Sequence, residues 1–356
     1  MPDPILADDT LAAIRAGDEA LDRGLRGPAV ELALLADAGL LSAPLPVDRG
    51  GRGWGTSADG AEPMLALLAT LGGASLPLAR IYEGHVNAIK LFLRYGDQDQ
   101  QARVCAAVAA GSILGVWGAE RDRPVTIDAD GLLAGVKTFA SGLGDVTHAI
   151  VTARVADGLR MVVIDATDAA RGEIFDWDVD GMVGSRSGRF DCTGLPAGPA
   201  DCLGAVDALF IEPDFNGGVW RLCACYAGAM ERLARLTARQ IDRTGSRDDP
   251  LAAHRLGHLA MEARGAVLWA RSACLAVEAL QASPAEAVTT TLFAREAIEQ
   301  AATRLLALVE RVNGTAMHRR GSEIGRLSRD LRLYLRQADL DGKLRVATAG
   351  WVVGEP

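Results

Sequence analysis

At 356 residues the chain has room for two or three domains of about 150 residues each, and 49% hydrophobic against 23% charged residues lets it bury substantial cores. Thirty-seven basic against 46 acidic side chains leave a net charge of −9, which argues against the basic footprint of a nucleic-acid binder. The acidic, proline-bearing start is unlike a secretory signal, no apolar run approaches the ~20 residues of a membrane span, and six scattered cysteines form no disulfide framework, so a reduced, cytoplasmic protein is expected.

Positions 1–112 read as helices. Asp9-Thr10 is a cap before an Ala/Leu/Arg pattern, and Val30 to Leu41 sets Leu32, Leu34, Leu35 and Leu40 at helical spacing. Residues 43–55, rich in glycine and carrying Pro44 and Pro46, must leave the helix. Helical pattern resumes near Ala58, breaks around Leu71-Gly72-Gly73 and runs on to Ala110. From 113 to 213 short β-type runs alternate with turn residues: Gly135 to Ala140, Val146 to Arg154, Leu159 to Asp165 and Glu173 to Val179, with Asp-Gly pairs at 130–131, 157–158 and 180–181. From 214 to 356 the pattern is helical again, with breaks at Pro250, at 282–284, near 314 and 321, and at Gly342. The expected architecture is α+β and multidomain: helices, then a β-barrel or sandwich-like domain, then a helical bundle.

This order at this length resembles the acyl-CoA dehydrogenase family of flavoproteins. Gly39-Leu40-Leu41 followed by Pro46…Gly50-Gly51-x-Gly53 is similar to the family's N-terminal helix-to-loop signature, and Tyr95-Gly96-Asp97…Gln100-Gln101 to its glycine-turn helix start. Gly135 to Gly142 resembles the β segment that meets the flavin ring, Gly181 to Gly188 the Gly-Met-Arg-Gly-Ser turn, and Arg329-Asp330 the C-terminal Arg-Asp pair. The resemblance implies a C-terminal four-helix bundle, FAD held between β domain and bundle, and a homodimer or homotetramer. It also implies a small acyl substrate, as its CoA thioester, with an electron-transfer flavoprotein as redox partner.

Acyl-CoA dehydrogenation needs a carboxylate to take the α-proton. The family's usual glutamate position falls on Ala338 here, with Asp339 one residue away. Its alternative position, at the start of the first bundle helix, falls near Gly218, with Asp214 about a turn upstream. Ile81-Tyr82-Glu83-Gly84-His85 copies the catalytic string inside the N-terminal domain, where the resemblance implies a helix lining the far end of the acyl cavity. Glu83, His85 and Asn87 are therefore expected to make that end polar, suited to a polar or short-acyl substrate. Glu83 and His85, two apart, would share no helical face, although across a helix start both could point inward.

For the flavin, the resemblance implies contacts from the strand end Trp117-Gly118-Ala119-Glu120, from Phe139 near the ring and from Ser141. The family's Arg-x-x-Phe-Gly phosphate motif is represented by Arg243 and Arg247 beside Asp248 and Asp249, and its Gln-x-x-Gly-Gly segment by Arg311 and Gly314. Seven arginines against two acids between Arg311 and Arg336 make either an interface face or a phosphate site. His254 and His258, at i and i+4, have no evident third ligand, so no metal is expected. Two rivals to the dehydrogenase remain on the same fold: a flavin-dependent monooxygenase, and a non-catalytic subunit that pairs with an active homologue.

Overall fold

The computed structural model describes residues 5–174, 178–246, 248–337 and 339–353. Five helices come first: α1 (Asp8–Asp22), α2 (Ala29–Asp37), α3 (Ala61–Gly72), α4 (Leu76–Tyr95) and α5 (Gln98–Ala109). Two of their starts follow local capping chemistry, whereas Asp9-Thr10, read as a cap, lies inside α1, whose N-cap Ala7 makes no side-chain capping bond. Asp97 and Gln100 form a reciprocal capping box at the start of α5, with Gln100 N–H on Asp97 Oδ1 at 2.7 Å and Asp97 N–H on Gln100 Oε1 at 3.0 Å. Ser75 caps α4, with Pro77 in its first turn. The proline- and glycine-bearing segment 43–55 forms only a single 3₁₀ turn, Val47–Arg49, between loops.

Nine short strands follow: β1 (Leu114–Trp117), β2 (Thr126–Ile127), β3 (Leu133–Ala134), β4 (Val136–Ala140), β5 (His148–Val155), β6 (Gly158–Asp165), β7 (Gly172–Glu173), β8 (Gly188–Asp191) and β9 (Cys202–Leu203), counted among the described residues. One sheet runs β3-β2-β5-β6-β9, with β1 parallel to β5, and the other runs β4-β8-β7. Among the described residues the two form separate small sheets that do not close into a barrel. Met161 to Ile164 lies within β6, the central partner of β5 and β9. The strand expected from Glu173 to Val179 is seen only as β7, and positions 175–177 lie outside the described residues.

The chain then forms α6 (Trp220–Arg243), α7 (Pro250–Glu278), α8 (Pro284–Asn313), α9 (Glu323–Tyr334) and α10 (Leu340–Val353). Gly342, read as a break, lies inside α10; the break itself falls between Tyr334 and Leu340. The N-terminal helices pack directly on this bundle. A Cβ on Gly228 of α6 would stand 1.8 Å from the Ala69 carbonyl of α3, and one on Gly72 would stand 2.2 Å from the Cys225 carbonyl, so only glycine allows the two backbones this approach. The main apolar core runs from α1 to α4 through the strands into the bundle, and a second cluster packs α4 and α5 against β1, β5, β6 and β9. Among the described residues no helix is long and apolar enough to cross a membrane.

Candidate active site

A cavity of about 600 Å³ lies where the three parts of the chain meet, a volume suited to a small organic ligand. Its walls come from α4, the end of β1 with residues 118–119, the end of β4, the turn 182–187, and the end of α9 with Arg336 and Gln337.

The β wall is shaped by a bulge. Lys137 pairs with Phe190 and Ala140 with Gly188, so β4 carries one residue more than β8 between these pairs. The extra residue leaves Phe139 at φ 53°, a conformation bulky residues rarely adopt, and nearly half exposed at the cavity. The Arg121 guanidinium lies over its ring, 5.1 Å from the centroid. Trp117 packs at 5.1 Å against Phe190 and donates its indole N–H to the Ser141 carbonyl at 3.0 Å, which ties the end of β1 to the bulge. Beneath the wall the fully buried Lys137 ammonium donates to Glu120 Oε1 at 2.6 Å and to Thr152 Oγ1 at 2.8 Å. Burial pulls Lys137 below its ordinary pKa and pushes Glu120 upward; for Glu120 the hydrogen bonds from Lys137, Val125 and Arg154 prevail and leave it below the usual carboxylate range.

Three serine hydroxyls line the same wall as a chain, Ser141 to Ser187 at 2.9 Å and Ser187 to Ser185 at 2.9 Å. Three hydroxyls joined by two hydrogen bonds keep one hydrogen to donate at one end and an acceptor at the other, and the direction can reverse. Ser185 and Ser187 belong to the turn in which Met182 and Arg186 have positive φ (56° and 44°). That turn is pinned from behind by α9. The Met182 N–H donates to Asp330 at 2.5 Å, and a Cβ on Gly181 would meet the Arg329 carbonyl at 2.6 Å. Asp330 lies fully buried near Asp18, which is itself paired with Arg326 at 2.6 Å. Burial first, then the Asp18 charge, pushes Asp330 well above the carboxylate range.

The opposite end is built on α4. Arg80, Glu83, Gly84 and Asn87 all face the cavity, and Arg80 Nη1 donates to Glu83 Oε2 at 2.5 Å. Burial opposes the Arg80 charge, but Glu83 more than compensates and raises its pKa. Beside them Tyr334 is 4% exposed, and its hydroxyl has no hydrogen-bond partner among the described residues. Burial raises its pKa far above the ordinary value, so it stays protonated. His85 takes no part. Both residues lie well inside α4 rather than at its start, so two residues of helical rotation carry His85 to the other side. There Nε2 meets the Leu41 carbonyl at 2.9 Å and Nδ1 accepts the Leu114 N–H at 3.1 Å. Burial lowers its pKa to about 4, so it is a neutral strut with both nitrogens used.

The remaining sequence candidates lie elsewhere. Asp339 is exposed and turned to the start of α10, where Oδ1 accepts the Gly342 N–H at 3.3 Å. Asp214 is held by Arg94 (3.3 Å), Lys90 (3.4 Å) and the Tyr95 hydroxyl (3.3 Å), away from the cavity lining. Arg243, bonded to Gln240, lines a separate groove of about 820 Å³ between the end of α6 and residues 313–324, together with Arg239, Arg319 and Arg320. Arg311 and Gly314 are exposed at the end of α8 and line neither space, and Arg247 lies outside the described residues, as does Ala338. Within the arginine-rich stretch, Arg326, Arg329, Arg332 and Arg336 pair with Asp18, Asp22, Glu310 and Glu299 on other helices. Arg80 and Tyr334 had no part in the sequence expectation, and Ser185 and Ser187 entered it only as members of the Gly181–Gly188 string. Arg80 lies one helical turn before Glu83, a usable signal, whereas the serines and Tyr334 meet the cavity only through tertiary packing.

The lining suits a planar, polar-edged ring such as a flavin. Gly118 opens onto space in which a Cβ would meet nothing within 4 Å, the serine chain and the Tyr334 hydroxyl offer unused polar capacity, and Trp117 and Phe139 supply apolar faces.

No protein-family model and no curated protein matches the sequence. Solved structures match its fold. TdsC from Paenibacillus sp. A11-2, in complex with FMN and indole, superposes with a TM-score of 0.84 at 20% identity over 98% of this chain and 96% of that one. Methanesulfinate monooxygenase MsuC from Pseudomonas fluorescens gives 0.81 at 18% over 100% and 98%. Butyryl-CoA dehydrogenase from Megasphaera elsdenii gives 0.77 at 15% over 97% and 99%.

Proposed function

The chain has the acyl-CoA dehydrogenase fold, and on that fold we propose a flavin-dependent oxidoreductase that oxygenates a small polar molecule, as a monooxygenase, in the 600 Å³ cavity. One observation carries the choice of reaction. Glu83 is the sole carboxylate lining the cavity among the described residues, and Arg80 holds it at 2.5 Å. A paired carboxylate is a poor base for the α-proton of an acyl thioester, whereas oxygenation by reduced flavin and O₂ needs no such base. The structures solved with FMN or described as monooxygenases on this fold agree with that reading.

A bound flavin would supply the two-electron redox chemistry. Trp117, Gly118 and Phe139 would hold its ring, with Ser141 at its polar edge. The Ser141–Ser187–Ser185 chain would serve a ring nitrogen that accepts a hydrogen bond when oxidised and donates one when reduced, because the chain can reverse direction. Arg80, Asn87 and the Tyr334 hydroxyl would read a polar group on the substrate. Exposed apolar residues on α7 (Met261, Leu268, Trp269) and α10 (Trp351, Val352) are assigned to self-association as a homo-oligomer.

The test uses the purified protein loaded with FMN or FAD. Flavin reduced by a separate reductase, with O₂ and a panel of indoles and sulfinates, is expected to give substrate-dependent oxygenated product. Anaerobic addition of butyryl-CoA is expected to leave the oxidised flavin coloured. Bleaching by the thioester would instead establish the dehydrogenase reading, with Glu83 as base. A protein that binds neither flavin would point to the non-catalytic subunit.

A further inference from the structure

Beside the ring cavity lies a smaller space of about 200 Å³, and the two share Phe139 and Val179 in their walls. Among the described residues its lining carries Arg121, Arg123 and Arg189 with one acid, Asp122, in a chain of net charge −9. One polar atom there is conspicuously unused. Thr138 is 9% exposed, and its Oγ1 has no partner among the described residues although it lies in the wall of this space. Folding leaves a buried hydroxyl unpaired only at a cost, and a hydroxyl beside guanidinium groups is well placed to donate to an anion.

The feature is positioned by the same bulge that shapes the ring site. Thr138 and Phe139 are adjacent on β4, and the Thr138 N–H is fixed to the Ala119 carbonyl at 3.0 Å. Both lie in the bulge between Lys137 and Ala140, where Phe139 borders both spaces and Thr138 borders only the side space. The loop 121–123 continues directly from the Trp117–Glu120 strand end, and Arg121 bridges the two spaces by lying over Phe139. A ligand with a planar ring in the large cavity and an anionic tail in the small one would satisfy both.

We propose that Arg121, Arg123 and Thr138 form the subsite for the phosphate of the bound flavin, so that a flavin mononucleotide is held through this side space. The inference rests on the flavin reading above. It departs from the sequence expectation, in which the phosphate falls to Arg243, Arg247, Arg311 and Gly314.

The test compares FMN with riboflavin, which has the same ring and ribityl chain and no phosphate, by flavin-fluorescence titration of the purified protein. The wild type is expected to bind FMN at least ~10-fold more tightly than riboflavin, the scale of a charge-assisted contact. Arg123→Ala is expected to weaken FMN by about tenfold while leaving riboflavin within about twofold, since it removes a phosphate contact and no ring contact. Thr138→Val should weaken FMN by roughly threefold without lowering the melting temperature of the flavin-free protein, because the hydroxyl it deletes has no partner to lose. Arg123→Ala weakening both flavins equally, or neither, would overturn the phosphate assignment. A wild type that binds FMN and riboflavin equally would sink the phosphate site and leave the flavin reading standing. Binding of neither would sink both.

Discussion

One stripe of polar residues runs the length of α4, and its two halves end differently. Arg80, Glu83 and Asn87, in the first half, face the cavity, with one ion pair between them and the unpartnered Tyr334 hydroxyl alongside. Lys90 and Arg94 continue the stripe into a knot of ion pairs. There Glu278 accepts Lys90 Nζ at 2.8 Å, the Trp220 indole N–H at 2.8 Å and Arg221 Nη2 at 3.0 Å, while Asp214 accepts Lys90 and Arg94. The helical period sets the same residue types on the same face in both halves. What separates a structural charge from an available one is how many of its hydrogen-bonding positions the fold has already filled. Asp214, near the alternative base position in the sequence, belongs to the filled class.

The largest effect should come from the knot. Glu278→Ala strands Arg221 as a buried charge, leaves Lys90 with Asp214 alone, and is expected to cost about 3–5 kcal/mol in denaturant unfolding. Glu83→Gln, which keeps an acceptor for Arg80, is expected to cost about 1 kcal/mol or less while raising KM for the proposed substrate, because Arg80 loses its charged partner. Equal destabilisation by the two would erase the distinction.

The pH dependence of stability follows from the two buried groups that take no direct part in the cavity. His85 falls from 6.5 to about 4 on folding, so the unfolded chain binds the extra proton between these values. Stability is therefore lost as pH falls through that window. His85→Gln, able to serve both Leu41 and Leu114, should flatten this acid limb in melting curves. Asp330 shifts the other way: the folded form holds a proton that the unfolded carboxyl has released, so stability declines as pH rises above the usual carboxylate range. Asp330→Asn keeps an acceptor for Met182 and should remove that decline. If its melting temperature falls with rising pH as the wild type's does, the Asp330 assignment fails.

Smaller effects should appear at the two available groups of the cavity. With the proposed flavin loaded, Ser187→Ala, which breaks the hydroxyl chain in the middle, is expected to shift the flavin midpoint potential, at a stability cost of about 1 kcal/mol. An unchanged potential would reduce the chain to wall packing. Tyr334→Phe deletes a hydroxyl with no partner among the described residues, so the melting temperature should stay level or rise slightly while KM for the proposed substrate increases.

Much of the fold was legible along the chain. Proline and glycine marked where helices stop, the Gly96-Asp97…Gln100 turn marked where α5 starts, and the β-branched run 161–164 marked a strand, because these signals act within a few residues. The site was legible only in pieces. Trp117, Gly118, Phe139 and Ser141 line the cavity together, yet the same string that presents Glu83 to it sends His85 to Leu41 and Leu114. Arg243 reaches a groove of its own.

The sequence by itself determined the succession of helices, strands and helices, since periodicity, capping and turn chemistry are written over short spans. Only the tertiary structure decided which charges are used up. Whether Glu278 meets Lys90, 188 positions earlier, or Asp330 meets Met182, 148 positions earlier, depends on chain folding between them. A carboxylate's availability is the sum of such partners, and no residue carries that sum in its own neighbourhood.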